Sequence, residues 1–337
     1  HRCNGTEALQ EIGLAPLCLQ AKEGLALING THLMEATAVL ALADTQSIIR
    51  TAEVACAMSI EGLKGSHVPL DPRIHRLRGQ HGQQLSAARL LTLVRNSEIN
   101  YSHRNCARVQ DPYTLRCAPQ VLGAVRDAVE YCANIFEREL HAVTDNPLVF
   151  PEDNAVLSGG NFHGQPLALA LDVMAIALAQ LASFSERRTY SLMGPHDWDE
   201  GGAPLFLTPN PGLNSGLMVA QYVAAALVNE IKVLAHPASI DSIPTSAGME
   251  DFVSMGATSA HKLQRILEQT QQVIAIELLC AAQMLEFRKP LKPGAGVQQA
   301  YELVRSYVTK LEHDRVLAPD IAVLTKAVKE GVFDNVE

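Results

Sequence analysis

Residues 166–184, from Pro166 to Phe184, are so apolar that they allow two fates: a bilayer span, or the centre of a large helical bundle. Asp172 and Gln180 interrupt the run and Glu186-Arg187-Arg188 follows it directly, which selects the bundle. Hydrophobic residues make up 47% of the chain, yet there are only 8 Phe, 7 Tyr and 1 Trp. The apolar content is therefore mainly Ala, Leu, Val and Ile, a mixture that favours close-packed helices over a β-sandwich. With 19% charged residues, disorder is excluded. A length of 337 residues allows about two domains or one large helical body. The net charge of −9 argues against a nucleic-acid backbone or an anionic membrane as main partner.

The pattern along the chain predicts a succession of long helices. One runs over 31–63 and stops at Gly65; a loop with Pro69 and Pro72 covers 65–82; a shorter helix covers 83–96. Residues 97–115 have no clean period and read as irregular. Leu122, Val125, Val129, Cys132, Ile135 and Phe136 form a stripe at helical spacing within 117–142, which ends in Asp145-Asn146-Pro147. After the 166–184 helix come a Gly/Pro-rich loop over 194–215, helices at 216–235 and 258–287, and two weaker ones at 296–313 and 320–330. Strand character is confined to segments such as Leu148-Val149-Phe150. The expected fold class is all-α, with long helices in a bundle and negligible strand content.

The seven cysteines are odd in number, irregular in spacing and contain no C-x-x-C. They support neither a disulfide scaffold nor a zinc site, and point to a reducing cytoplasm. No signal-peptide pattern precedes the first helix, and the opening His1-Arg2-Cys3 reads as the start of a fragment.

No H-E-x-x-H, Walker loop or G-x-S-x-G occurs, and the histidines are scattered. What stands out is a set of polar loops at helix ends: Asn29-Gly30-Thr31, Ser102 to Cys106, Val109 to Cys117, Ser158 to His163, and Ser246 to Asp251. Each alone has an ordinary reading as a turn, a surface aromatic or a salt bridge. Together their groups are complementary. Arg116 can hold a carboxylate through two N–H groups, and Tyr113 can move a proton. Asn29 and Gln110 can orient a polar intermediate, Phe162 can wall an aromatic ring, and Glu250 can accept from an imidazole or act as a base. The chemistry describes a pocket for an aromatic α-amino acid or a similar zwitterion.

At these same residues the sequence resembles the aromatic amino acid lyases, over essentially the whole chain. Ala21-Lys22-Glu23-Gly24-Leu25-Ala26-Leu27-Ile28-Asn29-Gly30-Thr31 is similar to the family's A-K-E-G-L-A-L-x-N-G-T. Ser102 to Gln120, SHRNCARVQDPYTLRCAPQ, resembles the version of the histidine-specific branch. Thr144-Asp145-Asn146-Pro147-Leu148, Ser158 to His163, and Asp241 to Met255 resemble three further signatures in the same order.

The resemblance implies an enzyme that eliminates ammonia from L-histidine to give trans-urocanate, the first step of histidine degradation, without a metal. The family's electrophile is methylidene-imidazolone, formed by backbone cyclisation of an internal Ala-Ser-Gly. By the same resemblance Arg116 is the carboxylate clamp, Tyr113 stands beside the electrophile, and Asn29 and Gln110 are its polar neighbours. Phe162 lies over the substrate, and Glu250 faces its ring. The family assembles as a homotetramer whose pockets draw loops from three subunits, so Arg116 is implied to serve a neighbour's site. Two features depart from the family. No Ala-Ser-Gly occurs in these 337 residues, and Gly248-Met249-Glu250-Asp251-Phe252 replaces the frequent N-Q-E-D-H. The expectation is a single helical body over 1–337, the C-terminal portion of a lyase, inactive without the segment that carries the tripeptide. The rival readings are a phenylalanine or tyrosine ammonia-lyase or aminomutase, against which Glu250 and the 102–120 run argue, and a non-catalytic helical scaffold.

Overall fold

Five long helices set the architecture, and in chain order they run alternately up and down. The computed structural model describes residues 2–106, 108–194 and 202–337. The short helices α1 (Gly5–Glu11) and α2 (Glu23–Ile28) precede α3 (His32–Gly62). Then come α4 (Pro72–Arg78), α5 (His81–Leu93), α6 (Glu98–Ser102), α7 (Tyr113–Arg116) and α8 (Ala118–Leu140). A two-stranded antiparallel hairpin follows, β1 (Leu148–Phe150) with β2 (Ala155–Leu157), in the register Leu148 to Leu157. The chain continues through α9 (Gln165–Met193), α10 (Met218–Leu234), α11 (Gly256–Glu286), α12 (Ala295–Tyr307) and α13 (Ala318–Lys329). The fold is all-α.

The long helices α3, α9 and α11 are parallel. Their first turns meet around Met34, which packs over Gly164 and Gly256 so closely that a Cβ on either glycine would overlap it. Their last turns meet where Gly62 lies against Met284 and Leu192. At 1.5 Å per residue the 31-residue α3 is about 45 Å long, which fixes the separation of the two ends. We call the end where these three helices start the base and the opposite end the top. α8 runs back from top to base, since Leu115 lies beside Gly65 at the top while Glu139 accepts from Thr31 at the base. α10 also descends: the backbone N–H of Ser239, just beyond it, donates to Asp172 near the start of α9.

The predicted stripe on α8 is the buried one: Leu122, Val125, Val129, Cys132 and Phe136 are buried, with Ile135 packed at the margin of the core. By length and composition two stretches, Glu23–Gly62 and Gln165–Met193, could cross a bilayer. In the fold α9 is a central helix, with Leu167, Leu171, Met174, Leu178 and Leu181 fully buried. Two buried carboxylates in the core are paired across helices. Glu277 on α11 accepts from Arg188 and Ser185 on α9 and from Ser59 on α3, and none of its carboxylate is exposed. Glu53 on α3 similarly accepts from Ser86 on α5 and Arg126 on α8.

Three expectations are corrected. Residues 65–82 are not a plain loop: Pro72 opens α4, where its missing N–H costs nothing, Asp71 caps the helix by accepting from the Arg73 N–H, and Gly79 closes it in the left-handed region. Residues 97–115 are not wholly irregular, because Ser97 caps α6 and Pro112 leads into α7. The helix expected over 296–313 ends at Tyr307, where Val308 turns extended. Of the predicted loop 194–215, residues 195–201 lie outside the described residues.

Candidate functional site

At the base, three loops are tied to one another by side chains that replace missing backbone partners. Asn29 ends α2, and its Nδ2 donates to Asp145 Oδ1 at 3.3 Å. Lys22 Nζ donates to the other Asp145 oxygen at 2.5 Å, and the backbone N–H of Asn146 donates to Oδ1. The Lys22 contact and these N–H groups hold the Asp145 carboxyl below the usual carboxylate range. Asn146 Oδ1 in turn accepts from the Gly159 N–H and the Ser158 hydroxyl, and Asn161 donates to the Val143 carbonyl. Thus 29–31, 143–146 and 158–161 form one unit, with half-buried Phe162 at its edge. His163 joins this unit to the 241–255 segment: its Nε2 lies 3.0 Å from the Phe252 carbonyl, and the two rings stack at 6.1 Å.

Glu250 sits on that segment in a small closed strap. The Thr245 N–H donates to the Glu250 carbonyl, and Thr245 Oγ1 donates to Glu250 Oε2 at 2.7 Å. Ser246, Ala247 and Gly248 between them have φ of 49°, 54° and 87°, a left-handed run that is strained for the two residues with a Cβ. The Thr245 hydroxyl, then that of Ser246, pulls the Glu250 carboxyl below its ordinary range, so it is a ready acceptor for an N–H.

At the top, the loop 108–117 is pinned to the end of α3. Asp111 accepts from the Ser66 N–H at 2.7 Å and pairs with Arg108 at 2.8 Å. Arg108 also donates to the last carbonyls of that turn, Leu63 and Lys64. Buried Leu115 anchors α7 below. Above this anchorage Gln110 is exposed, and Tyr113 is 68% exposed. The Arg116 guanidinium covers the Tyr113 ring at 4.6 Å; among the described residues it has no carboxylate partner, and its Nε is buried without an acceptor. Neither the Tyr113 hydroxyl nor the Gln110 amide engages a protein group among the described residues. A cavity of about 500 Å³ lies beside Gln110, lined also by His67, His103 and Arg104.

The six residues read from the sequence as one pocket therefore fall into two sets. Asn29, Phe162 and Glu250 are at the base; Gln110, Tyr113 and Arg116 are at the top. The length of α3, about 45 Å, separates them, so one chain does not bring them together. Among the described residues no group of three His, Cys, Asp or Glu side chains is placed to hold a metal ion.

The sequence reading also missed acids at the base. Asp172, noted only as an interruption of an apolar run, accepts from Ser239, Ser259 and Lys262 and so fixes the start of α9 against α11. Glu35 is buried on the first turns of α3 and was not singled out at all. Its signal was its spacing: Thr31, Glu35 and Ala38 follow i, i+4, i+7 and share the inward face.

Comparison with known proteins brings both ends into one frame. A family model described as aromatic amino acid lyase matches residues 1–306. A histidine ammonia-lyase of Anaeromyxobacter dehalogenans (strain 2CP-C) is 51% identical over 335 residues, covering 99% of this chain and 65% of that protein. The crystal structure of histidine ammonia-lyase from Trypanosoma cruzi superposes with a TM-score of 0.89 at 45% identity, covering 97% of this chain and 61% of that one. A tyrosine aminomutase from Streptomyces globisporus superposes with a TM-score of 0.90 at 36% identity, covering 98% and 66%. The chain thus spans about 65% of the length of the curated relative it matches.

Proposed function

Because the chain belongs to the aromatic amino acid lyase family, we propose that it is the larger, helical portion of an enzyme that eliminates ammonia from L-histidine to give trans-urocanate. The observation that carries this reading is the division of the six site residues between base and top, with the Arg116, Tyr113 and Gln110 side chains at one end bonded to no protein group among the described residues apart from the Arg116–Tyr113 ring contact. Such a set is useless to a single chain and is brought together once the top of one copy meets the base of another. The proposed assembly is a cytoplasmic homotetramer with shared pockets, each copy being one helical body over 1–337.

In that pocket Arg116 binds the substrate carboxylate, through two N–H groups if it swings off the Tyr113 ring. Phe162 supports the imidazole ring face, and Glu250, kept ionised by Thr245, accepts its N–H. Excluding water around these groups strengthens each contact. The family's methylidene-imidazolone, when bound, supplies the electrophile that turns the substrate amine into a leaving group. The residues here fit it. Asn29 spends one amide hydrogen on Asp145, and among the described residues neither its side-chain oxygen nor the Tyr113 hydroxyl has a partner, which leaves the hydroxyl able to hold or pass a proton beside it. The tripeptide that forms the group is absent from these 337 residues.

The test is urocanate formation followed in the ultraviolet. The isolated chain is expected to give none, and to become active when combined with an N-terminal fragment carrying Ala-Ser-Gly. Turnover by the isolated chain would overturn its need for that fragment, and no turnover by the combination would overturn the lyase reading. A second reading, an aminomutase or ammonia-lyase acting on phenylalanine or tyrosine, draws on exposed Met249 and Phe252, which make the rim beside Glu250 apolar. Turnover of the intact parent on the three amino acids decides between them.

A further inference from the structure

A buried acid with no hydrogen-bond partner among the described residues lies one turn from the Asn29 loop. Glu35 is 8% exposed, and both of its carboxylate oxygens are sealed from solvent without meeting a hydrogen-bond donor. A bare carboxylate in that position would lose its hydration with nothing in return. Glu35 lies one turn along α3 from Thr31, whose carbonyl accepts from the Glu35 N–H at 2.9 Å, so the two side chains share a face. Thr31 Oγ1 on that face donates to Glu139 Oε1 at 2.7 Å. The charged group that acts on Glu35 is Glu139 itself, and it opposes ionisation. Two carboxylates can bond to each other only when one carries a proton.

The other charged groups on the packed elements are engaged elsewhere or face water. Lys22 pairs with Asp145, Lys262 with Asp172, and Arg138 and His141 on α8 are exposed. Burial, followed by the Glu139 charge, raises the Glu35 carboxyl to about 7.

The same stretch that carries Glu139 grips the Asn29 loop at every residue. Glu139 holds Thr31, the Thr144 carbonyl lies against Gly30, and Asp145 holds Asn29. We propose that Glu35 and Glu139 share one proton, and that this proton holds the end of α8 against the Asn29 loop, making Glu35 a positioning residue for the candidate site. With the proton present, Glu35 O–H donates to a Glu139 oxygen while Glu139 accepts from Thr31. Without it, two adjacent carboxylates repel, and the clamp on Thr31 and Asn29 loosens. The positioning role rests on the lyase reading; the shared proton does not.

Two arms test this. In the chain as it stands, carbon NMR of labelled glutamate carboxyls is expected to show one group titrating near pH 7 that is missing from Glu35→Gln. A raised folded-state value means that the stabilising contribution is full below the ordinary value of 4.5 and is lost as pH rises through about 7. Urea unfolding of the native sequence should therefore weaken across neutral pH, and Glu35→Gln, whose amide always donates to Glu139, should not. Absence of a glutamate titrating near neutrality overturns the shared proton.

In the intact parent, kcat should fall about two- to fivefold as pH passes through this ionisation, the worth of one hydrogen bond. Glu35→Gln should lack that step, and Glu35→Ala should lie at the lower level throughout. A kcat profile that Glu35→Gln leaves superimposed on the native one overturns the positioning role, even where the NMR titration is present. A parent that forms no urocanate instead sinks the lyase reading and the positioning role with it, leaving the shared proton to stand or fall on the first arm.

Discussion

The base and the top of the bundle carry equal shares of the candidate site and are built in opposite ways. At the base, Asn29, Asp145, Asn146, Asn161 and Thr245 are each bonded to a neighbouring residue or loop, so the chain's own hydrogen bonds fix the geometry. At the top, one anchor of Arg108, Asp111 and Ser66 holds the loop; beyond it Arg116 lies over the Tyr113 ring, and the Tyr113 hydroxyl and Gln110 amide engage no protein group among the described residues. The base is preorganised and the top is unfinished. A site divided in this way places its rigid half where a reacting group must be oriented and its open half where a second surface arrives.

The strongest test of that contrast is complementation in the intact parent. Asn29→Ala and Arg116→Ala should each cost roughly 100- to 1000-fold in kcat, the usual worth of a group that orients or stabilises a transition state. Assembled together from mixed chains, the two variants should recover activity, because some pockets receive an intact base and an intact top. Asn29→Ala mixed with Glu250→Ala should recover none, since both lesions lie at the base. Equal recovery in both mixtures would erase the distinction between the ends.

A smaller effect separates tight from open positions in the isolated chain. A Cβ at Gly30 would lie 2.8 Å from the Thr144 carbonyl and 2.7 Å from the His32 ring, so Gly30→Ala should cost about 1–3 kcal/mol in urea unfolding. Gly159 has open space at its Cβ, and Tyr113 is exposed, so Gly159→Ala and Tyr113→Ala should stay within about 0.5 kcal/mol. A large loss for Tyr113→Ala would mean that the top is more finished than its contacts indicate.

The smallest effect concerns the strap. Thr245→Val removes the hydroxyl that lowers the Glu250 carboxyl, so an NMR titration should find that carboxyl moved upward. A depressed folded-state value contributes stability that is present above 4.5 and lost as pH falls, so the variant and native chains should differ little below that range. An unmoved Glu250 titration would show that the strap does not tune it.

The sequence made the helices legible because their buried stripes repeat at 3.6 residues, as on α8 from Leu122 to Phe136. Pro72 misled because the same residue ends one helix and begins another, and the Asp71 cap before it went unweighed. The identities of Asn29, Tyr113 and Arg116 were legible from their motifs, and the resemblance implied a neighbour's site for Arg116, but the full division was left undrawn although the order of helices contains it. Asn29 precedes the first long helix, and Tyr113 follows one long pass, so they lie at opposite ends. Phe162 follows two passes and Glu250 four, which returns both to the base. The spacing of Glu35 marks it as inward-facing, but its meaning depends on Glu139, 104 positions later, and a missing partner leaves no mark in sequence.

The fully buried Glu277 touches all three parallel helices: its own α11, α9 through Arg188 and Ser185, and α3 through Ser59. Sliding any one helix by a turn would strand a charge or a hydroxyl in the core, which makes the cluster an index mark rather than a glue. If one copy's top must meet another copy's base, the length of the bundle has to be the same in every molecule. The cluster turns three apolar rods into a gauge of fixed length, so a residue that touches no substrate decides whether two distant half-sites arrive at the same height.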